Sequence, residues 1–256
     1  MSTYLFTHID EILTNIKTIP KIFLFLDYDG TLVPIAPKPD QALLTQDERD
    51  LLALLCRQFT VAIITGRSLG EIKKIISIPD IILAGNHGFE ILSPWDSWVH
   101  PEAKEFQKVI SRSATSLEKA LKPFLGAWVE NKGLTLSVHY RLVKEEEEEK
   151  IKSIFYDTIR GRKEKVRVTR GKKVLEIRPN VSWHKGKAVE RLSKLYEAPQ
   201  GHRIYMGDDE TDEDAFRALK DDITIIVGQK DTTAAKYWVK DTAEVWLFLK
   251  SLREGR

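Results

Sequence analysis

Two aspartates two positions apart, Asp27 and Asp29, sit in the run Asp27-Tyr28-Asp29-Gly30-Thr31-Leu32. That pairing suits covalent phosphoryl chemistry: one carboxylate attacks as nucleophile while the other gives and takes protons. Three further polar stretches complement it. Thr65-Gly66-Arg67 offers a hydroxyl and backbone amides able to hold phosphoryl oxygens. Lys185-Gly186-Lys187 offers an ammonium that neutralises charge on the transferring group. Gly207-Asp208-Asp209-Glu210-Thr211-Asp212-Glu213 offers oxygen ligands of the kind Mg²⁺ prefers. Each stretch has an ordinary reading alone. Asp-x-Asp-Gly is often a turn or part of a calcium loop, and an acidic run often marks a helix N-terminus. Their joint occurrence, each at a strand end or helix start, points to one site.

The elements that must position these groups are legible from periodicity. The apolar run 22–26 reads as a fully buried strand that delivers Asp27 and Asp29 from its end. Ligands of open α/β sheets bind outside the carboxyl ends of the strands. An amphipathic helix before Pro20 precedes this strand. A helix over about 45–58 follows it, with Thr45 as N-cap and Glu48 completing a capping box. A strand over 60–64 leads into Thr65, a helix near 69–76 follows, and a strand over 81–84 ends in Gly85-Asn86-His87-Gly88. This alternation predicts a parallel, doubly wound α/β sheet. From about position 101 the pattern changes to helix, two strands, helix, two strands: a helix over 102–121, strands over 127–132 and 134–142, a helix over 144–159, and strands over 165–169 and 173–178. The α/β pattern then resumes. The expected organisation is a core of residues 1–100 and 182–256 interrupted by an α+β cap over 101–181.

Composition excludes several classes. With 42% hydrophobic and 30% charged residues the chain reads as an ordinary globular protein, and a net charge of +2 gives no global pull toward nucleic acid or membrane. The single cysteine, Cys56, leaves no intrachain disulfide; it reads as a small buried residue, and the expected compartment is the cytoplasm. No apolar stretch reaches membrane-spanning length and no secretory signal is visible. The glutamate run 145–149 reads as a solvated helix face, and the basic stretch 160–173 as a solvated hairpin without interleaved aromatics. Neither nucleic acid nor membrane is expected as a partner, and the expected state is a monomer.

The four motifs, in this order, resemble those of the haloacid dehalogenase (HAD) superfamily of aspartyl-phosphate enzymes. The resemblance implies a HAD-like Rossmannoid core and gives Asp27 as the nucleophile and Asp29 as the acid and base. Thr65 and Lys185 complete the catalytic set, Lys185 rather than Lys187 because it directly precedes the glycine. It implies Mg²⁺ held by the Asp27 carboxylate, the Asp29 carbonyl and Asp208, with Asp212 in support; whether Asp209 or Asp212 touches the ion stays open.

The interval between Asp29 and Thr65 has no room for a cap, whereas the much longer one between Thr65 and Lys185 holds the α+β module, the C2-type position in that superfamily. The module's strands alternate. Trp128, Glu130 and Lys132 share a face, as do Thr135, Ser137, His139 and Arg141, and Glu176 and Arg178 oppose Leu175 and Ile177. A half-solvated sheet explains the alternation by itself. The segments Ala84-Gly85-Asn86-His87-Gly88, Val129-Glu130-Asn131-Lys132-Gly133, Ser137-Val138-His139-Tyr140-Arg141, Leu175-Glu176-Ile177-Arg178-Pro179 and Trp183-His184-Lys185-Gly186-Lys187 are similar to the trehalose-phosphatase family. That resemblance implies hydrolysis of trehalose 6-phosphate, with Gly66, Arg67, Asn86, His87, Glu130, Lys132, His139, Arg141, Glu176 and Arg178 as substrate contacts. The alternatives are a phosphatase of the same cap type acting on sucrose 6-phosphate or mannosyl-3-phosphoglycerate, and a silent sugar-phosphate-binding regulatory domain.

Overall fold

The computed structural model describes residues 2–162, 164–171 and 173–255, so Lys163 and Lys172 of the basic stretch lie outside the described residues. The chain divides into two units, residues 1–98 with 183–256, and residues 99–182.

In the first unit the elements are β1 (Thr3–Tyr4), α1 (Ile9–Lys17), β2 (Phe23–Leu26), α2 (Gln46–Cys56), β3 (Thr60–Ile64), α3 (Leu69–Ile76), β4 (Ile82–Gly85), β5 (Glu90–Leu92) and β6 (Ser97–Val99). The second unit holds α4 (Pro101–Glu105), α5 (Gln107–Leu121), β7 (Trp128–Asn131), β8 (Leu136–His139), α6 (Glu145–Ile159), β9 (Val166–Gly171) and β10 (Val174–Pro179). The chain then returns to the first with α7 (Lys185–Leu195), β11 (Arg203–Gly207), α8 (Glu213–Ala218), β12 (Ile223–Val227), β13 (Tyr237–Val239) and α9 (Thr242–Glu254). Among the described residues no helix is long and apolar enough to cross a membrane.

The first unit's sheet runs β1-β13-β12-β11-β2-β3-β4-β5-β6. It is parallel from β1 to β4, and β5 joins β4 antiparallel. A parallel sheet buried on both faces needs apolar residues at every position, and the β2 run Phe-Leu-Phe-Leu meets that need. Leu24 and Leu26 pack with residues of α1, α2, α3 and α9 on one face; Phe23 and Phe25 pack with residues of α7 and α8 on the other. The expected doubly wound sheet is therefore present. It also carries the short strands β1, β5, β6 and β13, which are too brief to show alternation in the sequence. The expected capping box is formed: Thr45 Oγ1 accepts from the Glu48 N–H, and Glu48 accepts from the Thr45 N–H.

The second unit is a four-stranded antiparallel sheet, β7-β8-β10-β9, with its apolar face packed on α5 and α6. Two expectations change here. The single helix over 102–121 is broken at Phe106, where Phe106 N–H returns to Ala103 O and Val109 N–H to Phe106 O, a tighter turn set between α4 and α5. Arg141 lies beyond the end of β8 in an exposed turn, so it is not part of the sheet's polar face. In the first unit Cys56 is half-buried rather than buried, on the flank of α2, and burial pushes its thiol up to about 12.

Candidate active site

Adjacent strands β11, β2, β3 and β4 end on the same edge of the sheet and carry Asp208, Asp27, Thr65 and Asn86 just beyond them. The helix between β2 and β3 packs on one face and α7, which leads into β11, on the other. Asp27 and Asp208 therefore flank the point where the crossovers change side, the position at which doubly wound sheets bind ligands. The ladder itself sets Asp27: its N–H donates to Met206 O at 2.9 Å. Gly30 then turns the chain with a positive φ of 84°. A Cβ at Gly30 would overlap the Asp208 carboxylate, so the glycine answers both the backbone and the close approach.

Lys185, at the first position of α7, is buried and its ammonium bridges two carboxylates. Nζ lies 2.7 Å from Asp27 Oδ1 and 2.7 Å from Asp212 Oδ1. Burial disfavours the ammonium, but Asp212 and Asp27 outweigh it and hold the pKa well above lysine's ordinary value. Asp212 is fully buried and accepts from Tyr205 Oη at 2.6 Å, and from the N–H groups of Asp208 and Asp209 at 3.1 Å each. Asp209 is spent on its own turn, accepting from the Thr211 N–H at 2.8 Å and the Thr211 hydroxyl at 2.6 Å.

Oxygens of Asp27, Asp208 and Asp212 lie within 4.8 Å of one another. Burial pushes Asp27 well above the usual carboxylate range, against the pull of Lys185, and the other acids add to the rise. Asp208 is pushed up to about 7, first by burial and then by Asp209 and Asp212. Lys185 offsets one of these three crowded carboxylates, and a further cation beside Asp27 and Asp208 would relieve the remaining repulsion. An all-oxygen donor set fits a hard divalent ion such as Mg²⁺. Asp212 already accepts four hydrogen bonds, so Asp27 and Asp208 have the lone pairs to spare.

Asp29 is held differently. Arg67 Nε and Nη2 reach its two oxygens at 2.7 Å each, while Nη2 also donates to Pro39 O at 2.9 Å and Nη1 to Glu71 Oε1 at 2.6 Å. The guanidinium lies 4.9 Å from the Tyr28 ring centroid. Arg67 was expected as a substrate contact; its donors here go to protein groups. Thr65 is buried, and its Oγ1 accepts from the Arg67 N–H at 3.2 Å. Gly66 lies under the His87 imidazole, which a Cβ would overlap. Asn86 and His87 both take positive φ, 50° and 57°, a conformation L residues seldom hold without support. That support is visible: the Asn86 N–H donates to Arg67 O and the His87 N–H to Thr65 O, both at 2.7 Å, and Asn86 Nδ2 donates to Glu90 at 2.6 Å.

In the second unit one register row, Glu130, Ser137, Glu176 and Thr169, crosses all four strands. Glu176 is buried and accepts from Lys132 at 3.3 Å, Ser137 at 3.4 Å, Thr169 at 3.2 Å and from Arg178. His139 meets Glu130 at 2.7 Å and stacks on Trp128 with centroids 4.5 Å apart. Burial works against the Glu130 anion, yet His139 and Lys132 hold its carboxyl below the usual value. Glu130, Lys132, His139, Glu176 and Arg178 thus form one connected polar face.

Sequence reading missed Tyr205 and Glu71. The signal for Tyr205 is a lone phenol in the buried run Ile204-Tyr205-Met206, since a buried phenol needs a partner. For Glu71 it is the helical spacing of four from Arg67.

Comparison with known proteins gives a consistent result. The sequence model of the family described as trehalose-phosphatase matches residues 25–243. Trehalose-phosphate phosphatase B of Arabidopsis thaliana is 37% identical over 268 residues, covering 96% of this chain and 70% of the relative. A solved structure of a trehalose-6-phosphate phosphatase related protein superposes with a TM-score of 0.81 at 31% identity, covering 91% of this chain and 97% of that one. The C-terminal domain of Candida albicans trehalose-6-phosphate phosphatase shares the fold with a TM-score of 0.82 at 23% identity, covering 99% and 98%.

Proposed function

Because this chain belongs to the trehalose-phosphatase family, we infer that it is a phosphoric monoester hydrolase converting trehalose 6-phosphate to trehalose and phosphate. The observation that carries the reading is Lys185, buried and fixed 2.7 Å from Asp27 at the end of β2, with Asp208 at the neighbouring strand end. A domain that merely binds a sugar phosphate has no use for an ammonium aimed at a nucleophilic carboxylate.

The reaction proceeds in two displacements. An Asp27 oxygen bonds to phosphorus as the bond from phosphorus to the sugar oxygen breaks, and Asp29, protonated at an oxygen that has let go of Arg67, gives that leaving oxygen its proton. A water then loses a proton to Asp29 and bonds to phosphorus, breaking the Asp27–phosphorus linkage and freeing phosphate. The Lys185 ammonium offsets charge on the phosphoryl oxygens, and the buried Thr65 hydroxyl donates to one of them. Mg²⁺, held by the Asp27 and Asp208 carboxylates and the Asp29 carbonyl, would supply electrostatic stabilisation of the same phosphoryl group. Asp212 serves in support, through Lys185 and the backbone of the Asp208 loop.

Sugar hydroxyl recognition falls by this reading to Asn86 and His87 of the first unit and to Glu130, Lys132, His139, Glu176 and Arg178 of the second. Each of these is a charged, amide or imidazole group able to exchange a protein partner for a hydroxyl. The compartment is the cytoplasm and the working form a monomer. Phosphate release from trehalose 6-phosphate, sucrose 6-phosphate and mannosyl-3-phosphoglycerate, compared at equal concentration, tests the assignment. Trehalose 6-phosphate is expected to react fastest, and a preference for either of the others overturns the substrate while leaving the chemistry in place.

A further inference from the structure

Tyr205 carries the only side-chain heteroatom with a hydrogen-bonding proton in the β11 run Ile204-Tyr205-Met206. Its ring is wholly buried and stands edge-on to Phe216, with centroids 5.6 Å apart and planes at 87°. The ring therefore belongs to the core, but its hydroxyl reaches the site: Oη lies 2.6 Å from Asp212 Oδ1. That oxygen also receives Lys185 Nζ at 2.7 Å, and the same Nζ reaches Asp27 Oδ1 at 2.7 Å. The other Asp212 oxygen receives the Asp208 and Asp209 N–H groups.

Two consequences follow from this count of donors. A carboxylate offers about four acceptor directions, and the phenol fills the last one, so the plane of Asp212 is fixed by donors on both oxygens. A second donor on Oδ1 also weakens the hold of that oxygen on Lys185, because the two share one negative charge. Without the phenol, Lys185 would be drawn toward Asp212 and away from Asp27. We propose that Tyr205 is a positioning residue of the phosphoryl-transfer site, acting through Asp212 to hold the Lys185 ammonium over the Asp27 nucleophile. Tyr205 itself touches neither substrate nor reacting atoms. The role deepens the phosphatase reading above and rests on it.

Tyr205→Phe removes one oxygen and keeps the ring and its packing on Phe216. Steady-state rates of the variant and the parent are compared on trehalose 6-phosphate and on p-nitrophenyl phosphate, at a temperature well below unfolding of either protein. The expected result is a kcat lower by on the order of ten-fold on both substrates, smaller than the loss of a donor that touches the reacting group. KM is expected to stay nearly unchanged, and inhibition by vanadate, which mimics the transferring phosphoryl group, should weaken by a similar factor. A purely structural hydroxyl would lower the thermal midpoint and leave kcat in place, and that outcome overturns the proposal. Phe216→Leu disturbs the packing but keeps the hydroxyl; an equal loss of kcat in that variant also overturns it. A parent that releases phosphate from neither substrate counts against the phosphatase reading, whereas an active parent with an unimpaired Tyr205→Phe variant counts against this one.

Discussion

Arg67 grips Asp29 with a two-pronged ion pair, one nitrogen on each carboxylate oxygen at 2.7 Å. The pair is anchored from behind by Glu71 and the Pro39 carbonyl, and the Arg67 side chain is only 5% exposed. Four of the guanidinium's five donors are taken in this way. The arrangement fixes where Asp29 points and leaves Arg67 little to offer a substrate.

Replacing Arg67 separates the two roles. If Arg67 aims the proton donor, Arg67→Gln should lower kcat with little change in KM. The loss should be larger for a sugar phosphate, whose alkoxide needs a proton, than for p-nitrophenyl phosphate, whose phenolate leaves unaided. General acid–base help contributes roughly 10²–10⁴-fold, so a loss of ten-fold or more on the sugar phosphate is expected. A rise in KM with kcat preserved would instead restore the substrate-contact role that its motif suggested.

Asp27→Asn should abolish turnover and leave the fold intact. The amide keeps the volume of the side chain, and Lys185 retains Asp212 as a partner at 2.7 Å. Burial already disfavours the Asp27 charge, so removing it does not orphan a stabilised anion. Far-UV circular dichroism and a thermal melt check the fold, and radiolabelled substrate checks that no phosphoryl group stays on the protein. Appreciable phosphate release by this variant would refute a covalent route through Asp27.

The order of motifs along the chain was enough to locate the sheet edge, because parallel strands buried on both faces announce themselves as short apolar runs. Local backbone chemistry was equally legible: Thr45 and Glu48 form the box their spacing implies. What the letters could not convey was where long side chains point. Arg67 sits in a phosphate-binding motif, but its guanidinium turns to Asp29 because Glu71 and Pro39 hold it there. Arg141 continues the alternation of β8 by two residues, yet the strand ends at His139 and the turn exposes it. Helical periodicity through 102–121 runs unbroken across Phe106, since a single tighter turn hardly alters which residues face the core. Tyr205 was hidden for the opposite reason: aromatic residues in a strand look like core, and only the position of the hydroxyl reveals a second task.

The capping box gives a stability prediction independent of activity. Thr45→Ala removes the acceptor for the Glu48 N–H at the start of α2 and should cost about 1 kcal/mol. For a chain of this size that corresponds to a thermal midpoint lower by roughly 2–4 °C. The rate constant should not change, because α2 carries no residue of the site. Calorimetry and an activity assay on the same sample check both halves.

The acid cluster makes stability depend on pH and on metal together. Asp208 is raised from 3.8 to about 7 and Asp27 is raised well above 3.8, burial being the first cause for both. Between those limits the folded, metal-free protein binds more protons at these two groups than the unfolded chain does. The contribution of Asp208 to stability is therefore full below about pH 4 and is lost as pH rises through about 7, and that of Asp27 is likewise lost as pH rises. A divalent ion replaces the protons, so it should stabilise most where the carboxylates are ionised and least where protons compete with it. Thermal melts near pH 5 and near pH 7.5, each with chelator and with Mg²⁺, should show a larger metal-induced rise at the higher pH. Activity should disappear with chelator and return with Mg²⁺. Equal stabilisation at both pH values would mean that the ion binds somewhere other than between Asp27 and Asp208.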